Sequence, residues 1–82
     1  MKVIVNVRLK EGVLDPQGKA VLHALNSLNF DEVKDVRIGK QILLDIDGSD
    51  EEKVKKRVEK MSEELLANTV IEDYEIIVEN RS

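Results

Sequence analysis

Residues 33–47 read VKDVRIGKQILLDID, and how this stretch divides decides how many strands the fold contains. Alternation places Val36 and Ile38 on one side over 33–39, and Ile42, Leu44 and Ile46 on one side over 41–47. Apolar residues at period two mark a strand with one buried face. Gly39-Lys40 falls between the two runs and reads as a turn, so the stretch is expected to form two consecutive strands.

The flanking sequence extends that pattern. Towards the N-terminus, Val3, Val5, Val7 and Leu9 alternate with Lys2, Ile4, Asn6, Arg8 and Lys10, which predicts a first strand. Asp15 and Pro16 then form a helix start, because Asp accepts from free N–H groups and Pro is pre-set for the first helical position. Val21, Leu22, Leu25 and Leu28 follow at helical spacing, and Asn29 is placed to end the helix. Towards the C-terminus, Ser49 with Glu52 reads as a capping box, and Asp50 and Glu51 add negative charge to the first turn of a second helix. Its apolar stripe is Val54, Val58, Met61 and Leu65. A last strand is expected over 73–79, with Tyr74, Ile76 and Val78 on one side.

The element order is therefore βαββαβ, an α+β, ferredoxin-like arrangement filling 1–82 as a single domain. It predicts a four-stranded antiparallel sheet with both helices on one face. The other face receives Ile4, Leu43 and Ile77 from neighbouring strands, ringed by Asn6, Arg8, Arg37, Asp45 and Glu79. Those three apolar residues are the candidate self-association face, because so small a chain buries only about 60% of the surface its unfolded form exposes.

Composition narrows the function. Cysteine is absent and His23 is the single histidine, which leaves no disulfide, no thiolate or His-based metal cluster, and no Ser-His or Cys-His pair. A net charge of −4, with one Phe, one Tyr and no Trp, is not the footprint of a nucleic-acid binder. MKVIVNVRLK (1–10) is interrupted by Asn6 and Arg8 and is no signal-peptide core, and no apolar run reaches the ~20 residues that span a bilayer. A cytoplasmic chain outside the membrane is the expectation.

GVLDPQGKA (12–20) comes close to a phosphate-binding loop without being one. Five residues separate Gly12 from Gly18 where the motif has four, and Ala20 stands where a Mg²⁺-binding hydroxyl is required. Asp15 also places a carboxylate where a phosphate would sit. Gly18 instead projects onto the apolar side of the first helix. Glycine there costs about 1 kcal/mol relative to alanine, so it points to a close approach of the helix backbone to the sheet. Lys19 projects outward, as does His23. The carboxylates at 50–52 and 72–75 read as helix-end charge and strand-flanking solubility, so no catalytic residue is assigned.

Taken together, LKEGVLDPQGKAVLHAL (9–25), DVRIGKQILLDI (35–46) and LLANTVIEDYEIIVE (65–79) resemble the PurS family, the small subunit of phosphoribosylformylglycinamidine (FGAM) synthase. The similarity runs in order over nearly the whole chain. Glu11, Asn29 and Thr69 depart from the Pro, Gly and Pro common at those positions, all at caps or turns. The resemblance implies a non-catalytic ferredoxin-like subunit that self-associates as a dimer or larger form, up to a tetramer. It further implies a bridge between a PurL-type synthetase and a PurQ-type glutaminase, with support for ammonia transfer between them. The assembled ligase converts formylglycinamide ribonucleotide, ATP and glutamine to the formylglycinamidine product in purine synthesis. ATP, Mg²⁺ and glutamine would be handled by the partners, and this chain would bind no cofactor. The motif residues Asp15, Gln17, Gly18, Lys19, Arg37, Gly39, Lys40, Asn68, Glu72, Asp73 and Tyr74 are the candidate partner interface. Two other classes are open: a sensing domain of the same fold that takes a small metabolite at a dimer interface, and a phosphatase of acylphosphatase size. The latter needs an anion cradle and an Arg after the first strand, where Glu11–Asp15 is apolar and acidic.

Overall fold

In the computed structural model, which describes residues 1–79, the chain builds β1 (Lys2–Leu9), α1 (Pro16–Ser27), β2 (Lys40–Asp45), α2 (Glu51–Met61) and β3 (Glu72–Glu79). A π-helical turn, Ser62–Leu66, continues α2. The sheet has three strands in the order β2-β1-β3, both neighbours antiparallel to β1. Val3, Val5 and Val7 of the central strand are fully buried beneath Val54 and Val58 of α2, with Ala67 completing the core. Ile42 and Leu44 on β2, and Tyr74, Ile76 and Val78 on β3, flank that core half-buried.

Two parts of the expected architecture are overturned: the sheet is three-stranded rather than four-stranded, and α2 alone lies in the core. Residues 33–39 form no strand. A ladder needs free backbone donors, and here they are engaged by side chains. The Val36 N–H donates to Asp35 Oδ1 at 2.9 Å and the Ile38 N–H to Asp15 Oδ2 at 2.8 Å. Arg37 fastens the same segment by donating to the carbonyls of Val13 and Lys10, each at 3.1 Å. Gly39 is not in a turn between strands. It precedes β2 directly, and a Cβ placed there would lie 2.6 Å from the Val7 carbonyl oxygen. The glycine is required by that approach to β1, not by reversal of the chain.

Helix α1 also departs from the expected packing. Among the described residues its sole buried member is Gly18, and none of its residues enters the core. The close approach at Gly18 is to Val36, whose carbonyl oxygen fills the space of a Cβ, and not to the sheet. The helix ends as the sequence suggests: Asn29 adopts φ 72°, with the Asn29 N–H donating to Asn26 O at 3.1 Å and the Phe30 N–H to Leu25 O at 3.0 Å. This is the Schellman closure, in which a left-handed residue lets the chain bond back to the last turn. Asn29→Ala is accordingly expected to cost about 1 kcal/mol in urea unfolding, and Asn29→Gly to be neutral or stabilising.

Two smaller shifts occur around α2. Asp50, not Ser49, caps it, accepting from the Lys53 N–H at 3.3 Å. The π turn, closed by the Ala67 N–H donating to Ser62 O at 2.9 Å, advances the helical phase by one residue. Leu66 and Ala67 therefore turn inward, while Leu65 is left 82% exposed. Ser62 is fully buried and satisfied by donating to Val58 O at 2.8 Å.

The result is an extended molecule of 48 × 30 × 14 Å with a radius of gyration of 16.2 Å. A compact domain of this length would have a radius of about 12 Å. Its accessible surface, 6394 Å², likewise exceeds the roughly 5,000 Å² usual for a 9.3 kDa monomer.

Candidate functional site

Strand pairing gathers the three motif stretches at one end of the sheet. Arg8 lies opposite Asp73, Leu9 opposite Glu72, and Val7 opposite both Lys40 and Tyr74. The start of α1 is brought to the same end by Asp15. This buried carboxylate accepts from the Gly18 N–H at 2.9 Å through Oδ1 and from the Ile38 N–H through Oδ2, so it caps the helix and anchors the 36–38 segment together. A groove of about 270 Å³ results, lined by residues that include Asp15, Gln17, Gly39, Lys40 and Glu72. A neighbouring depression of about 400 Å³ is lined by Arg8, Leu9, Glu11, Asp35, Arg37 and Asp73.

Of the sequence candidates, Asp15, Gln17, Gly39, Lys40 and Glu72 thus share one concavity and Arg37 and Asp73 the next. Gly18 supports them from below. Lys19 is exposed on α1 and lines neither concavity. Asn68 shapes the approach to β3: its N–H donates to Glu72 Oε1 at 2.7 Å, and its own Oδ1 accepts from the Val70 N–H at 3.2 Å. Tyr74 points to the core side and donates to Glu63 Oε1 at 3.3 Å. Burial, then the Glu63 charge, raises its pKa, so it stays a protonated donor at neutral pH. Residues not singled out in the partner-interface set, notably Arg8, Glu11, Asp35 and Ile38, also line the end surface. Alternation alone could have found Arg8, because it is the outward residue at the exit of β1.

The Ile38 and Gly18 N–H groups, helped by Arg37, hold the Asp15 carboxyl below its ordinary value of 3.8, against the opposing effect of burial. A lowered folded-state pKa adds stability above the unfolded value, and that stability is lost as pH falls through the folded value. Thermal melts of the wild type are therefore expected to lose the Asp15 contribution only below about pH 4. Asp15→Asn, which cannot ionise, should melt lower at pH 7 and show a smaller drop towards pH 3.

The outer face of the sheet behaves as a second surface. Ile4 lies opposite Leu43 on one side and Ile77 on the other, giving one apolar row across all three strands. Leu43 is 70% exposed. Asn6, Gln41 and Glu75 flank the row on one side, and Lys2, Asp45 and Glu79 on the other.

Chemically, the end surface offers interleaved charges of both signs, backbone groups and shallow relief. His23 is exposed on α1, outside both concavities, with its backbone carbonyl accepting from Ser27 Oγ at 3.0 Å. Among the described residues, no group of three or more His, Asp or Glu side chains is placed to hold a metal, and no helix is long and apolar enough to cross a membrane. Fold and surface define a small α+β module with a shallow, polar end surface and an apolar row across the outer face of its sheet.

Comparison with known proteins gives the family. The family model described as PurS, phosphoribosylformylglycinamidine (FGAM) synthase, matches residues 2–80. The Bacillus subtilis FGAM synthase subunit PurS is 59% identical over 78 residues, covering 95% of this chain and 92% of that protein. The crystal structure of Methanocaldococcus jannaschii PurS, a subunit of formylglycinamide ribonucleotide amidotransferase in purine biosynthesis, superposes with TM-score 0.88 at 49% identity, over 99% of this chain and 98% of that one. A chain of the PurLQS structure from Thermotoga maritima superposes with TM-score 0.85 at 36% identity, over 93% of each. The chain belongs to the PurS family.

Proposed function

We propose that this chain is the non-catalytic assembly subunit of an FGAM synthase complex, acting in the cytoplasm on the purine pathway. The observation that carries the proposal is the convergence of three separate motif stretches on one end of the sheet, around Asp15, Lys40 and Glu72. Asp15 has a structural duty there, but folding stability alone does not require exposed polar residues such as Gln17, Lys40 and Asp73 to gather around it. In this reading the end surface docks a PurL-type synthetase and a PurQ-type glutaminase and supports ammonia transfer between them. The partners bind ATP, Mg²⁺ and glutamine, and this chain binds none of them. It also self-associates as a dimer or tetramer, with the row Leu43, Ile4 and Ile77 as one contact face. Membership of a family whose Thermotoga maritima relative occurs in a PurLQS assembly supports the partner assignment.

Size-exclusion chromatography of the three proteins, with ADP and glutamine present, tests the docking surface. Co-elution is expected, and Asp73→Arg should weaken it while leaving the melting temperature within a few degrees of wild type, since Asp73 is exposed and its 4.0 Å pair with Lys10 contributes little. A chain that elutes alone under all conditions would defeat the proposal.

A further inference from the structure

We infer that the open edge of β3 takes up an extended, basic segment of a partner subunit as an added strand. This rests on the assembly role proposed above, and the added strand is one contact through which that assembly forms.

Strand β3 closes one side of the order β2-β1-β3, and among the described residues nothing pairs with its far edge. The register shows which groups are open there. The Lys10 N–H donates to the Ile71 carbonyl at 2.8 Å, one step beyond the Leu9–Glu72 pair. Hydrogen-bonded pairs alternate along an antiparallel ladder, so Asp73, Glu75, Ile77 and Glu79 bond to β1. Glu72, Tyr74, Ile76 and Val78 turn their backbone groups outward. The Glu72 N–H already donates to Asn68 O at 2.7 Å, which leaves Tyr74, Ile76 and Val78 with open donors and acceptors.

Edge strands in stable monomers are commonly shortened, bulged or interrupted by proline. None of these devices protects β3. It runs eight residues, pairs with β1 without a break, and contains neither Pro nor Gly. Tyr74, Ile76 and Val78 pack against the core yet stay half-buried, so an incoming strand with apolar residues on that side would complete their cover.

Charge selects the occupant. Glu72, Asp73, Glu75 and Glu79 give the strand four carboxylates, and among the described residues only Asp73 has a cationic partner, Lys10 at 4.0 Å. Burial raises the Tyr74 pKa and Glu63 and Glu59 of α2 add to the rise, so the negative field extends to the inner side of this edge. A second β3 laid on this one would set carboxylates against carboxylates, which disfavours a copy of the chain. A partner segment that alternates Lys or Arg with apolar residues fits both faces. Its cations meet Asp73, Glu75 and Glu79 on the outer face, its apolar residues extend the inner one, and main-chain bonds supply affinity.

Hydrogen exchange reads such a ladder directly. The full chain, alone and with the two large subunits, is incubated in deuterium oxide, quenched and dissociated in dimethyl sulfoxide, and read residue by residue by NMR. The amides of Tyr74, Ile76 and Val78 are expected to exchange at least about tenfold more slowly in the assembly, whereas those of Glu75 and Ile77 are protected in both states. Glu75→Lys, at an exposed position outside both concavities, should weaken the assembly about fivefold or more and leave Tm within a few degrees of wild type. Co-elution with unchanged exchange at the three outward amides, their full protection in the chain alone, or an undiminished Glu75→Lys assembly would each overturn the added strand and leave the assembly role standing. A chain that elutes without either large subunit would reject the assembly role itself, and the added strand with it.

Discussion

Val5→Ala is expected to lower the unfolding free energy by about 2–3 kcal/mol, seen as a Tm fall of roughly 10–20 °C in circular dichroism. Val5 is fully buried on the central strand, opposite Ile42 and Ile76 and beneath α2, in a core of six buried apolar residues. Removing its two methyl groups leaves a cavity with few neighbours able to relax into it. Ile77→Ala on the outer face removes one carbon more, yet should cost less than Val5→Ala in a chain kept dilute enough not to associate. Equal losses at the two positions would mean that the faces of the sheet are not differently buried.

Gly18→Ala is expected to have the largest effect on the end surface. An alanine Cβ would strike the Val36 carbonyl oxygen and come within 2.8 Å of Asp15 Oδ2, so both the helix cap and the 36–38 anchor must shift. Arg37 lies within that segment, Gly39 and Lys40 follow it directly, and all three would move with it. The variant should therefore lose partner affinity by tenfold or more, about 1.4 kcal/mol, in calorimetric titration with the large subunits. Alanine at the neighbouring exposed position, Lys19→Ala, is the matched control and should leave the 36–38 anchor intact.

These two positions also show what could be read in advance. Alternation of Val3, Val5 and Val7 against Ile42 and Leu44, and against Tyr74, Ile76 and Val78, put the right residues on the inner face, because a side-chain period of two allows no other assignment once a face is buried. The outer row of Ile4, Leu43 and Ile77 followed from the same rule. Residues 33–39 alternate like a strand yet form none, because the deciding contacts are long-range: Asp15 to Ile38, and Arg37 to Val13 and Lys10. Local periodicity carries no information on such bonds. The position of Gly18 on the apolar side of α1 signals a close approach, but only the structure shows that the neighbour is Val36 and not the sheet. A regular helix continued through Ser62 would turn Leu65 inward, and the π turn brings Leu66 there instead.

At the end surface the candidates taken from the motifs make up seven of the fourteen residues that line the two concavities. Strand register sets Lys40 and Glu72 on either side of β1, and the Asp15–Ile38 bond brings Asp15 to the same end. Tyr74 and Asn68 prove to have structural duties, one bonding Glu63 from the core side and the other bonding Glu72.

The most direct measurement is glutamine-dependent amidation of formylglycinamide ribonucleotide by purified synthetase and glutaminase, with ATP and Mg²⁺, before and after this chain is added. The chain alone should show no turnover, the two large subunits should couple poorly without it, and stoichiometric addition should restore the glutamine-dependent rate. Full coupling by the two large subunits in its absence, unchanged when it is added, would contradict the assembly role.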